Sequence, residues 1–99
     1  MRMMLRWTVP VEKGNEAIND GSLPQTIQSL LEELKPEAAY FWPENGKRGG
    51  MFVFDMVDSS QMPQIIEPLF FGVDAAVEIL PVMNADDLKQ GLEAAAAKR

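Results

Sequence analysis

The run Gly49-Gly50-Met51-Phe52-Val53-Phe54-Asp55-Met56-Val57 limits the possible folds more than any other part of the chain. It is rich in aromatic and β-branched residues. Gly-Gly precedes it and Asp58-Ser59-Ser60 follows, so it reads as a strand. Its apolar residues fall on both faces, the pattern of a strand covered on both sides. Asp55 breaks the run with a carboxylate, and that exception makes it the first candidate for chemistry.

A chain of 99 residues makes a single domain, residues 1–99, with no room for a second core. A domain this size buries only about 60–68% of its unfolded surface, so pairing with a second copy would add useful burial. The net charge of −6 argues against nucleic acid, whose binding rests on a dense Lys/Arg surface, and against anionic membranes. No apolar span is long enough to cross a bilayer, and the charged start Met1-Arg2-Met3-Met4-Leu5-Arg6 is no secretory leader, so the cytoplasm is the expected compartment. The absence of Cys and His has larger consequences. It removes disulfides, thiolate nucleophiles, zinc and iron–sulfur sites, Ser–His catalysis and His-ligated haem. No metal or cofactor site is expected, and any chemistry falls to Asp, Glu, Arg, Lys, Tyr, Ser or Thr.

Met3 to Val9 alternates, predicting a first strand ended by Pro10. A short helix is expected from Glu12 to about Asp20, stopped at Gly21. Ser22 then caps a second helical piece whose stripe is Ile27, Leu30, Leu31 and Leu34, and Lys35-Pro36 ends it. Ala38 to Trp42 reads as a strand. The stretch Pro43 to Arg48 is a turn, with Asn45-Gly46 supplying the positive φ angles of a hairpin. Gly46-Lys47-Arg48-Gly49-Gly50 also has the composition of a phosphate cradle. It joins two strands and opens no helix, however, so the plain turn is preferred. Asp58 or Ser59 caps a helix that Pro68 should kink or shorten near Glu67 and that Gly72 should stop. Ala75 to Met83 is a last strand, marked as an edge by Pro81. Asn84 and Asp87 form a capping box for a final Ala-rich helix, Ala85 to about Ala97, within a tail (83–99) expected to fray at its end.

Strand, helix, strand, strand, helix, strand with right-handed crossovers predicts an α+β, ferredoxin-like sheet of order 4-1-3-2, plus an extra C-terminal helix. Both connecting helices fall on one face. That face should take Met3, Leu5, Trp7, Val9, Phe52, Phe54, Met56, Val77 and Ile79, all apolar. The other takes Met4, Arg6, Thr8, Met51, Val53, Asp55, Val57, Glu78 and Leu80 and needs a cover of its own. Tyr40 and Trp42 are assigned to this second face, against a competing claim from Phe41.

Leu5-Arg6-Trp7-Thr8-Val9-Pro10, the Gly49-Gly50 pair and Val77-Glu78-Ile79-Leu80-Pro81-Val82 ahead of a capped helix resemble the dimeric α/β-barrel superfamily. That group includes muconolactone-isomerase-like proteins, antibiotic-biosynthesis monooxygenases and many small bacterial proteins. The resemblance spans nearly the whole chain and rests on fold-level motifs. It implies a homodimer whose two sheets face each other and enclose a cavity. Haem-dependent members use a histidine that this chain lacks, so the resemblance carries no haem chemistry over.

The candidate site combines both readings. Arg6, Asp55 and Glu78 would be catalytic, in a cavity lined by Thr8, Tyr40, Trp42 and Met51. Arg6 suits bidentate grip of a carboxylate or polarisation of a carbonyl, while a buried Asp55 or Glu78 could act as general base. That arrangement implies a small-molecule-binding protein or cofactor-independent enzyme acting on a modest aromatic or carboxylated metabolite. In the alternative, Arg6 neutralises the two carboxylates and fixes a dimer interface, and the protein is a non-catalytic structural or interaction module.

Overall fold

The computed structural model describes residues 1–99. Four antiparallel strands form one open sheet: β1 (Arg2–Val9), β2 (Ala38–Glu44), β3 (Lys47–Asp55) and β4 (Ala76–Pro81), in the order β2-β3-β1-β4. Helices α1 (Val11–Asn19), α2 (Ser22–Leu34) and α3 (Met62–Val73), the last entered by a short turn at Ser59–Gln61, provide the connections. α4 (Ala85–Ala97) follows the sheet. The architecture is α+β and broadly ferredoxin-like, with the strand order that the connections predict.

The core lies between the sheet and the first three helices. Met3, Leu5, Trp7 and Val9 from β1 and Phe52, Phe54 and Met56 from and beyond β3 are buried against Ala17, Leu23, Leu30, Ile65, Leu69 and Val73. Val77 and Ile79 pack on its margin. No polar or charged residue is buried. Alternation along β1 produces this division, since each second residue of a strand points to the same face.

Local details depart from expectation in instructive ways. β2 and β3 run further than the sequence suggests, because Asn45 (φ 52°) and Gly46 (φ 76°) close a two-residue hairpin that lets Glu44 pair with Lys47. That turn opens no helix, and the Gly-Lys-Arg-Gly-Gly run lies in β3 beyond its first residue. β3 ends at Asp55, and Val57 is 84% exposed beyond it. Ser22 does not cap α2. Gly21, at φ 81°, takes that position, and Asp20 Oδ1 accepts from the Ser22 N–H at 2.8 Å. α3 is not cut short at Pro68; it carries the ring on its exposed side and continues through Gly72. It ends where Asp74 turns left-handed (φ 54°) and its N–H reaches the Phe70 carbonyl at 3.1 Å. β4 is shorter than expected and stops at Pro81, with one further bond from the Val82 N–H to the Arg2 carbonyl at 3.1 Å.

α4 forms as its capping box predicts: Asn84 Oδ1 accepts from Asp87 N–H at 2.8 Å, and Asp87 Oδ2 accepts from Asn84 N–H at 3.1 Å. It buries none of its residues, and no strand or helix packs along it. The molecule is consequently long, 56 × 28 × 18 Å, with a radius of gyration of 16.0 Å. A compact chain of this length would have about 13 Å.

Candidate functional site

The face of the sheet away from α1–α3 is uncovered, and the register places its side chains in rows. One row runs Tyr40, Met51, Arg6, Glu78 from β2 to β4. The next runs Trp42, Gly49, Thr8, Ala76, and on the other side lies Ala38, Val53, Met4, Leu80. Six of the seven sequence-predicted site residues therefore share two adjacent rows. Phe41 belongs to the opposite face, where its ring meets Trp7 and Phe52 edge-on at 6.3 and 6.0 Å between centroids. Tyr40 and Trp42 consequently take the open face.

Asp55 is the residue that the register separates from the rest. It stands opposite Arg2, while Arg6 stands opposite Met51, four positions along the same strand. Its side chain is 77% exposed and pairs with the N-terminal ammonium at 2.7 Å. The burial expected of a general base is therefore absent from the single chain. Glu78 does lie beside Arg6 in register, yet Arg6 turns away from it. Arg6 Nη2 donates to Glu44 Oε1 at 2.5 Å, and the guanidinium carbon lies 6.0 Å from the Trp42 ring centroid.

Gly49, in the neighbouring row, has no room for a side chain. It occupies the position between Thr8 and Trp42, and a Cβ there would come within 2.8 Å of the Trp7 carbonyl and 3.2 Å of Thr8 Cγ2. Gly50 is equally crowded on the other face, where a Cβ would sit 2.9 Å from both Phe41 Cδ1 and Trp7 Cζ2.

A second cluster forms at the far end of the open face. Arg2 bridges Glu37 and Asp87, the latter at 2.7 Å, and so ties the start of α4 to β1. The hydrogen bond that Arg2 donates to Glu37 is the main reason the guanidinium holds its proton more firmly than usual, with Asp87 adding to it against partial desolvation. A cleft of about 100 Å³ lies beside Arg6, Thr8, Glu44 and Glu78, and one of about 500 Å³ lies beside this second cluster, along Arg2, Pro81, Val82 and Asp87. No group of three or more acidic residues is placed to hold a metal ion.

A larger open groove, about 590 Å³, is on the helix side, between α1, α2 and the β2–β3 hairpin. Trp7, Leu23, Ile27 and Phe41 line it, with Ile18 and Arg48 at its borders. Trp7 is 3% exposed, and its Nε1 is the single buried side-chain polar atom without a hydrogen-bond partner. Leaving such a donor unpaired costs about 1–3 kcal/mol. Arg48 donates from Nη1 to Asn15 Oδ1 at 3.0 Å and pairs with no carboxylate. Sequence reasoning reads these apolar residues as ordinary core and helix stripe. Only the excess of large side chains around a Gly-Gly pair hints at a space there.

No helix is long and apolar enough to cross a membrane. Neither the known protein-family models nor the curated proteins contain a match to this chain.

Proposed function

We propose that the protein is a binding module that works as a homodimer, two copies meeting through the open faces of their sheets. The observation that carries this reading is the uncovered face itself. Met4, Met51, Val53 and Leu80 form its apolar middle, flanked by Tyr40 and Trp42. A sheet with helices on one side and so much apolar surface on the other is completed by a second layer. The charged residues fit an interface better than a reaction centre. Arg6 is matched by Glu44, Arg2 by Glu37 and Asp87, and Asp55 by the N-terminus, each pair linking segments distant in sequence. Two sheets meeting this way make the dimeric α/β barrel that the sequence resembles, and the reducing cytoplasm suits a chain without cysteine.

A second reading draws on Glu78. It stands beside Arg6 with no ion-pair partner of its own, so a chamber closed over this row would hold a cation with spare donors and a free carboxylate. That pair suits a small carboxylated or carbonyl ligand, bound or deprotonated without a cofactor.

Sedimentation at micromolar concentration tests the main reading. The expected species is about 22 kDa, twice the 11.0 kDa of one chain. Met51→Asp, a charge in the middle row, is expected to give folded monomer. A wild-type monomer at these concentrations would overturn the proposal. Glu78→Gln that leaves dimerisation intact but removes binding of a screened carboxylate would favour the second reading.

A further inference from the structure

We infer that α4 is a clasp for a second copy of this chain, its leucine side lying against the flank of the partner in the face-to-face dimer. The inference rests on the dimer reading above and adds a surface to it. Leu88 and Leu92 stand one turn apart on α4, both exposed, and Ala95 continues their stripe. No element of the same chain packs along this helix. α4 is about 20 Å long and projects from the body, which gives the molecule its 56 Å length.

Two observations point to a second copy as the occupant. The first is the tie at the start of the helix. Alternation along β1 puts Arg2 on the open face with Met4 and Arg6, and Arg2 Nη1 donates to Asp87 in the first turn of α4 at 2.7 Å. The helix therefore begins at the rim of the face that the partner covers. Leu80, opposite Met4 on that face, and Met83, just ahead of α4, are exposed between the two and mark an apolar path from sheet to helix.

The second is area. Four strands of six to nine residues, about 4.8 Å apart, make a face of about 500 Å². A stable, specific interface takes about 800 Å² from each partner, so the sheet alone falls short. A 13-residue helix laid on the partner contributes about 200 Å². Two-fold symmetry has each copy give one helix and receive another, which closes the gap. Two leucines among Asp86, Asp87 and Glu93 suit an anionic lipid surface poorly, since such a surface selects a basic helix.

The experiment is amide hydrogen exchange over Ala85–Ala97 at chain concentrations below and above dimer dissociation, with Met51→Asp as the single-copy reference. Exchange is expected to slow at least tenfold in the dimer and to stay fast in Met51→Asp. Leu88→Ser with Leu92→Ser leaves the body folded, because α4 buries none of its residues, and should weaken association about tenfold or more by sedimentation. Gln90→Ser with Ala94→Ser, on the opposite side of the helix, costs comparable helix propensity and should leave association unchanged. A wild-type dimer whose α4 exchanges as fast as in Met51→Asp overturns the inference and leaves the dimer reading standing. So does a dissociation constant unmoved by the leucine pair, or moved equally by the control pair. Protection gained only on adding phosphatidylglycerol vesicles overturns it in favour of a lipid surface. A wild-type monomer overturns the dimer reading and the clasp together.

Discussion

Gly49 and Gly50 show how much one pair of residues can decide. At neither position does the backbone need glycine for its φ angle; what the pair supplies is room. Gly50→Ala would drive a methyl group to within 2.8 Å of the Tyr40 carbonyl and 2.9 Å of two aromatic rings. Overpacking of this kind costs about 1–3 kcal/mol, which urea denaturation should show as a lower midpoint at unchanged slope. Asp58 offers a separate test through pH. The Ser60 backbone N–H, and after it the Ser60 side chain, hold its carboxyl below the ordinary 3.8. A carboxylate whose pKa is lowered by folding stabilises the native state above its unfolded pKa, and the contribution fades as pH falls through the folded value. Asp58→Asn keeps a capping oxygen but cannot titrate. The variant should therefore lose less stability than the wild type on acidification below about pH 4, measured as thermal midpoint against pH. At this scale the sequence was partly legible. Alternation placed Arg6, Glu78, Met51 and Thr8 on one face, because period-2 patterning sets facing. It could not pair them, since register depends on turn closure and on packing across strands. A shift of four positions separates Asp55 from Arg6 and gives Arg6 to Glu44, a residue first read as part of the turn.

Among the elements, α4 is the least supported. Its capping box forms and Asp87 is tied to Arg2, yet every side chain remains at least partly exposed, Leu88 and Leu92 among the exposed. A helix of this length is marginal in water without packing, so intrinsic propensity governs it more than it governs α2 or α3. Gly91 sits in its middle with nothing near its missing side chain. Gly91→Ala should strengthen the helix by about 0.5–1 kcal/mol, seen as added helical circular dichroism and slower amide exchange over Ala85–Ala97. The elements themselves were legible in number, type and order, because their signals are local: proline after β1, Asn-Gly between β2 and β3, Asn84 with Asp87 before α4. Their ends were less so. Gly72 carries a stop signal but lies inside α3, because the aspartate two positions later adopts the left-handed turn instead. Pro68 fails to end the same helix, whose buried Ile65, Leu69 and Val73 continue the apolar stripe past it.

For the whole molecule, the division of the sheet into two faces governs what can be asked of it. The helix face holds the core and an open groove; the other face is uncovered in the single chain. If two copies cover that face, folding and association are linked, and the thermal midpoint should rise with chain concentration. The fold was readable from its order of elements, whereas the groove was not, since empty space follows from register and side-chain reach and leaves no pattern of its own. One further consequence concerns the outer strands. β2 and β4 are both free on one side, and each contains a proline, Pro43 and Pro81. In a single copy the apolar middle of the open sheet face is bare. Because neither rim offers an unbroken row of donors, sideways extension of the sheet by strands of neighbouring chains is disfavoured. The prolines thus guard the two edges of a sheet whose face stays open.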